Sequence, residues 1–322
     1  MEFGNNKKNY NLRPEIIKKF NYNSPTVIIT AGPTGSGKSL LLSKSLEILY
    51  KNRIAPIYKT FLIDDYVDNS KMYKEIVNSV IDKFNCNENT SPGSKCDILN
   101  PNPELVKELD KAYFEVRENG PCDDSGKSCK ELYNIDIINA IKNSENILIE
   151  TTGKNIPLKY INTINTITQN SGLPDYNFLF VYSILDFEPL IDRVKSRFKN
   201  SMNSYLNNKL NSAPRLPNVS RDIFKQKSAE IIKKLIKLRN VCMRLGRPTD
   251  IECGPINSKG NFVLFIFDNN TMPSKLIYDS RSNDVFMTNS EFITLLQSYG
   301  LEGGKGKTTR RKNNLKRKTK RK

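Results

Sequence analysis

Residues 32–39 read Gly-Pro-Thr-Gly-Ser-Gly-Lys-Ser, and no other stretch constrains the chain as tightly. The spacing is G-x-x-x-x-G-K-[ST]. Before it, Thr26-Val27-Ile28-Ile29-Thr30-Ala31 has the β-branched composition and length of a buried strand. After it, Leu40, Leu41, Leu42, Leu46, Ile48 and Leu49 give an apolar pattern at helical spacing. Strand, glycine loop and helix together make the pattern a phosphate cradle. Gly32, Gly35 and Gly37, with Pro33, Thr34 and Ser36 between them, let backbone N–H groups turn inward on an anion. The following helix adds its N-terminal amides and the positive end of its dipole. Lys38 has the reach for β- and γ-phosphates, and the Ser39 hydroxyl is the expected Mg²⁺ ligand.

The remaining sequence alternates between strand and helix patterns. A second strand spans 57–63 and runs into Asp64-Asp65, which places two acids at the ligand-binding edge of an α/β sheet. The stretch 70–84 reads as an amphipathic helix with Met72, Ile76, Val80 and Phe84 on one face. Helix patterns follow at 131–143, 158–169, 188–210, 221–245 and 289–299; strands at 146–149, 176–185 and 261–267; and a hairpin at 275–287. Five strands alternating with helices predict an α/β P-loop NTPase or kinase fold: a mainly parallel sheet with helices on both faces. The kinase domain is placed at 25–300. A polar lead-in, 1–24, precedes it with one helical turn near 14–20, and a tail follows at 301–322.

The stretch 85–130 stands apart. It holds four cysteines, Pro92, Pro101, Pro103 and Pro121, and one helix pattern at 104–118, and reads as a helical and loop insertion forming a cap or flap. Within it Ser125-Gly126-Lys127-Ser128 mimics a phosphate loop, but Pro121 stands where the first glycine is needed and no strand precedes it. The six cysteines form no C-x-x-C and there is no histidine, so a histidine-containing zinc site is excluded and a four-cysteine site is disfavoured. With a triphosphate loop and no signal peptide, the cysteines read as mostly reduced thiols.

Charge is unevenly placed. The net charge of the 322 residues is +17, and eleven Lys and Arg with no acid lie in 303–322. Taking those eleven from +17 leaves +6 for the rest, so strong basicity belongs to the tail. The tail has too little apolar content to fold. Its clusters suit non-specific contact with nucleic-acid phosphate or a nuclear-import signal; no aromatic residue lies between them for base stacking. No run of 18 apolar residues is present and residues 1–10 are polar, which predicts no membrane partner, no secretion and a cytoplasmic location.

Three further constellations bear on chemistry. A kinase acting on a hydroxyl needs a carboxylate near the γ-phosphate, and Asp64 or Asp65 can supply it. Glu150-Thr151-Thr152 ends a strand and offers groups for acceptor hydroxyls or Mg²⁺-bound water. Arg193 and Arg197, four apart on one helix, share a face; Arg215 and Arg221 follow. Arginine supplies planar, permanently charged donors for a transferring phosphoryl group.

The order of these pieces, Gly32–Ser39, Ile63-Asp64-Asp65-Tyr66, Ile149-Glu150-Thr151-Thr152, Arg193/Arg197, Pro214-Arg215-Leu216-Pro217 and Ile266-Phe267-Asp268-Asn269, resembles the zeta toxin family of P-loop kinases over residues 25–270. The resemblance implies transfer of a γ-phosphoryl group from ATP or GTP, with Mg²⁺, to a hydroxyl of a small acceptor, UDP-N-acetylamino sugars being the best-known class. It implies Asp65 as the base, with Asp64, Glu150, Thr151 and Thr152 on the acceptor. Arg197, Arg193 and Arg215 then act on the phosphoryl group, and Asp268 and Asn269 lie at the nucleotide. The 85–130 insertion and the basic tail are foreign to the family core, and the insertion lies where acceptor-side elements are expected. Two alternatives remain: a kinase of nucleotides or nucleic-acid ends, and a non-catalytic nucleotide binder tethered to nucleic acid.

The tail separates the first two readings. If the acceptor is a nucleic-acid end, deleting 303–322 raises KM for an oligonucleotide steeply at low salt, and high salt abolishes the difference. For a small acceptor, KM is the same with and without the tail.

Overall fold

The computed structural model describes residues 22–51, 53–86, 96–97, 101–152, 157–207, 213–215, 217, 219–243, 262–280 and 287–301. Its centre is one sheet of six strands: β1 (Thr26–Ala31), β2 (Lys59–Phe61), β3 (Ile147–Thr151), β4 (Asn177–Ile184), β5 (Phe262–Asp268) and β6 (Lys275–Asp279). The spatial order is β2-β3-β1-β4-β5-β6. The first five are parallel, and β6 runs antiparallel against β5. Every residue of β1 and β4 is buried, as their predominantly apolar runs lead one to expect when both faces of a sheet are covered.

Alternate residues feed two cores. Val27, Ile29 and Ala31 face one side, which is packed by α5 (Cys129–Lys142), α6 (Pro157–Asn170), α8 (Arg221–Met243) and α9 (Asn289–Ser298). Ile28 faces the other side with Leu148, Leu179 and Phe265, under Leu41 and Leu49 of α1 (Lys38–Tyr50). The chain leaves β1 through α1 toward β2 on one side, while β4 lies on the other. The C-terminal end of β1 is therefore the switch point where such sheets bind ligands.

A third core is helical. It joins α2 (Ile63–Asn69), α3 (Lys71–Lys83), α4 (Pro103–Glu118) and α7 (Phe187–Leu206) through Val67, Tyr73, Leu109, Val116, Val194 and Phe198. The described part of the 85–130 stretch belongs to this core: Asn102 caps α4 and Leu105, Leu109, Tyr113 and Val116 are buried.

Several expectations change. The second strand is short, and Asp64 and Asp65 lie in the first turn of a helix. At this position the two carboxylates favour a helix start, and β2 has only β3 to pair with, leaving Ile57 almost fully exposed. Of the expected face of the 70–84 helix, Val80 and Phe84 are buried, whereas Met72 and Ile76 are only partly covered; Tyr73, Val77 and Ile81 complete the buried stripe. The cysteines are not mostly free: Cys86 bonds to Cys96 and Cys122 to Cys129. Compartment reasoning carried the reduced-thiol expectation, whereas the insertion brings each pair within bonding distance. Among the described residues no group of three or more His, Cys, Asp and Glu side chains is placed to hold a metal ion by itself. Ser125–Ser128 is a hairpin corner: Asp123 accepts from Ser125, Cys122 N–H donates to Lys127, and Ser128 caps α5 in a capping box with Glu131. The strand at 275–279 pairs with β5; residues 281–286 of the expected hairpin, the 14–20 turn and the basic tail lie outside the described residues. No helix among the described residues is long and apolar enough to cross a membrane.

The two disulfides close short loops, with sequence separations of 10 and 7. Closing such loops restricts the unfolded chain. Removing either bridge by a paired Cys→Ser change lowers unfolding free energy by about 2–3 kcal/mol. Urea midpoints with and without a phosphine reductant check this, and coincident curves count against it.

Candidate functional site

The glycine loop crosses the sheet edge directly after β1. Ser36 N–H donates to Pro33 O at 3.1 Å, closing its turn. Gly37 then takes a left-handed conformation (φ 77°) as the N-cap of α1, where a Cβ would run into the Asn269 amide. No side chain caps α1 and no acid lies in its first turn, so its leading amides are left for an anion. The Ser36 hydroxyl, also in the loop, is buried without a hydrogen-bond partner.

Neighbouring strands hold this loop from behind. The Ser183 hydroxyl, near the end of β4, donates to Ser36 O at 2.7 Å. The Asn269 amide, just after β5, donates to the same carbonyl, and Asn269 Oδ1 accepts from Ser274. Arg193 Nη2 donates to Asn269 O at 3.3 Å. Asn269 is thus a buried brace of the loop, while Asp268 turns to its own chain and accepts from Asn270 N at 3.0 Å.

Lys38 is almost fully buried, and its Nζ lies 3.3 Å from Pro33 O and 3.3 Å from Glu150 Oε1. Ser39 Oγ donates to Glu150 Oε2 at 3.1 Å. The β1–β3 register, Thr30 opposite Glu150 and Ala31 opposite Thr151, sets this bridge. A hydroxyl beside a carboxylate at the mouth of an amide cradle is an oxygen-donor set that fits Mg²⁺ with a triphosphate. Thr151 lies in the same strand pair, and Thr152 is exposed just beyond it.

A second charged group, built on the helical core, feels the charges of Lys38 and Glu150. Asp64 Oδ1 accepts from Arg215 Nη1 at 2.8 Å and from the Tyr113 hydroxyl. The Arg215 guanidinium stands 3.4 Å from the centre of the Tyr113 ring. Burial raises the Asp64 carboxyl, but Arg215, the Tyr113 hydroxyl, Lys38 and Arg197 outweigh it and hold the group below the usual carboxylate range. Asp65 is more exposed; burial, then the charges of Asp64 and Glu150, push it up. Asp68, four residues after Asp64 and so on the same helix face, is pushed up to about 7 by burial and by Asp64, against the pull of Arg215 and Arg197.

The two arginines of α7 work in different places. Arg193 reaches the glycine-loop brace, whereas the field of Arg197 falls on Asp64, Asp65 and Asp68. Both line an open groove of about 610 Å³ with Asp192, Ser196, Asn200, Ser201 and Ser204. Arg221 lies apart, paired with Glu188 at 3.0 Å. Tyr113, Asp68 and Ser183 are absent from the sequence reading. Asp68 carries a spacing signal only once 63–69 is known to be helical; Tyr113 and Ser183 carry none.

No protein-family profile matches the chain, and no curated protein matches it. Among solved structures, one from the PezAT chromosomal toxin–antitoxin system of Streptococcus pneumoniae aligns with a TM-score of 0.43 at 11% identity, over 91% of this chain and 84% of that one. The AvrRxo1-ORF1:-ORF2 complex aligns with a TM-score of 0.34 at 12% identity, over 80% of this chain and 58% of that one.

Asp68 makes stability pH-dependent. Its folded pKa, about 7, lies above the ordinary value near ~4, so the folded state binds the proton more tightly and stability falls as pH rises between the two. Asp68→Asn removes that loss. The variant exceeds the parent by about 1–2 kcal/mol at pH 8 and matches it near pH 4. Urea unfolding at four pH values reads the difference, and a gap that does not widen with pH excludes this account.

Proposed function

We propose that this chain is a P-loop phosphotransferase of the zeta toxin type, moving the γ-phosphoryl group of ATP or GTP to a hydroxyl of a small acceptor such as a UDP-amino sugar. The observation that carries the reading is the two-part site: the Lys38–Glu150–Ser39 bridge at the glycine loop, and the Asp64–Arg215 pair with Asp65 beside it, whose carboxyls feel the charges of Lys38 and Glu150. A cradle alone would serve binding. A cradle together with carboxylates and arginines suits transfer.

In this reading the loop amides and Lys38 hold the β- and γ-phosphates. Ser39 and Glu150 hold Mg²⁺, which supplies charge neutralisation on the phosphate oxygens. Asp65, the freer of the paired acids, accepts the proton of the acceptor hydroxyl as its oxygen bonds to the γ-phosphorus. The bond from that phosphorus to the bridging oxygen breaks, and the nucleoside diphosphate leaves with the electron pair. Arg197 and Arg215 stabilise the charge that spreads over the transferring oxygens. Arg193 keeps the glycine loop in place through Asn269, and Thr151 and Thr152 border the acceptor.

One observation favours a nucleic-acid end as acceptor instead. Tyr299 O accepts from Asn270, just after β5, at 3.2 Å and Leu301 is buried, so the last described residues before the basic tail lie near the C-terminal end of β5.

The test is γ-³²P transfer from ATP with Mg²⁺ to UDP-N-acetylglucosamine, nucleosides, nucleotides and oligonucleotide ends. Lys38→Ala and Asp65→Ala each lower transfer by about 10²–10⁴-fold, and Asp65→Ala keeps its affinity for ATP. Wild-type turnover in a folded Asp65→Ala protein removes the assignment.

A further inference from the structure

Tyr113 belongs to the insertion helix α4, yet it touches both members of the charged pair on the acceptor side. It is almost completely buried, so its position is fixed by packing: Tyr73 meets its ring edge-on at 6.2 Å, and Leu109 and Val116 flank it in the same core. Its hydroxyl donates to Asp64 Oδ1, the oxygen that also takes Arg215 Nη1. Its ring carries the Arg215 guanidinium at 3.4 Å, close enough for a cation–π contact. The segment that delivers Arg215 is held as well, because the Tyr73 hydroxyl donates to Pro214 O at 3.4 Å.

Two donors on one oxygen leave the rest of the pair for a ligand. Among the described residues no partner is bonded to Asp64 Oδ2, and Arg215 Nε is buried without a partner. We propose that Tyr113 is the positioning residue of the acceptor site: it locks Asp64 as the counter-ion of Arg215, keeps Asp64 Oδ2 for a hydroxyl of the acceptor, and leaves Asp65 as the carboxylate that takes the proton. The insertion thereby completes the site. Both disulfides bear on this, since Cys86–Cys96 precedes α4 and Cys122–Cys129 follows it. Both sulfurs of the second bridge also lie against Tyr66 O of α2, the helix that carries Asp64.

The inference rests on the phosphotransfer reading, and its test separates the two. The charged and titratable groups facing Asp64 are Asp65 and Asp68 from α2, Tyr113 from α4, Tyr73 from α3, Lys38 from α1, Arg197 from α7, and Arg215. Tyr113→Phe keeps the ring and removes only the hydroxyl. The Asp64 carboxyl is followed by ¹³C NMR against pH, assigned by its loss in Asp64→Asn, and its midpoint rises in Tyr113→Phe because a donor to the ionised form is gone. With ATP, Mg²⁺ and UDP-N-acetylglucosamine, or with water as acceptor, kcat falls by about tenfold. The acid limb of the kcat profile moves, while the dissociation constant for ATP and the urea midpoint at pH 8 stay near those of the parent. Tyr113→Leu, which also removes the platform under Arg215, loses about 10²-fold. An unchanged Asp64 titration in folded Tyr113→Phe overturns the proposal whatever happens to catalysis. A shifted titration with no transfer to any acceptor or to water upholds the positioning role and fails the phosphotransfer reading alone.

Discussion

The pairing of β1 with β3 on one side and β4 on the other is what the rest of the molecule depends on. It puts the glycine loop at the centre of the sheet, and it brings the ends of three other strands within reach of that loop. From β3 comes Glu150, which meets both Lys38 and Ser39. From β4 comes Ser183, and from just beyond β5 comes Asn269; both bind the carbonyl of Ser36. A loop whose glycines permit many conformations is held in one by neighbours drawn from distant parts of the chain.

The helical core answers the sheet. α2 carries Asp64, Asp65 and Asp68 toward the loop, and α3, α4 and α7 pack around its single buried side chain, Val67. Such a short helix has little stability by itself. Its acids gain a fixed place because Tyr113 and Arg215 close on Asp64 from elements far away in sequence. Burial and the crowded charges together drive the proton affinities of these carboxyls apart: the cations and the Tyr113 hydroxyl hold Asp64 low, whereas burial, then the neighbouring acids, raise Asp65 and Asp68. Neighbouring acids with divergent proton affinities are the raw material of acid–base chemistry.

Much of this was legible in the residues. The β1 run, the glycine loop and the α1 pattern read directly as strand, cradle and helix, because each depends on local spacing and on backbone freedom at particular glycines. The strands at 177–184 and 262–268 were equally plain, since a strand buried on both faces is apolar over most of its length. The acid pair was found, but its helical setting was not; a hydrophobic run leading into acids looks the same whether it continues as strand or turns into helix. The cysteine pairs were misread for a related reason. Their spacing says nothing of which sulfurs meet, and the hairpin that joins Cys122 to Cys129 exists only once its turn has closed.

The sequence by itself determined the fold class, the glycine loop and the identity of Lys38, Ser39, Asp64, Asp65 and Glu150 as candidates, because these follow from periodicity and from side-chain chemistry at short range. Only the tertiary structure decided how the candidates divide the work. It set Glu150 against Lys38 and Ser39, sent Arg193 to the loop brace and Arg197 toward the acids, and gave Asp64 to Arg215 and Tyr113. Those outcomes turn on distances between residues up to 151 positions apart, and on how far burial multiplies each charge, neither of which any local pattern encodes.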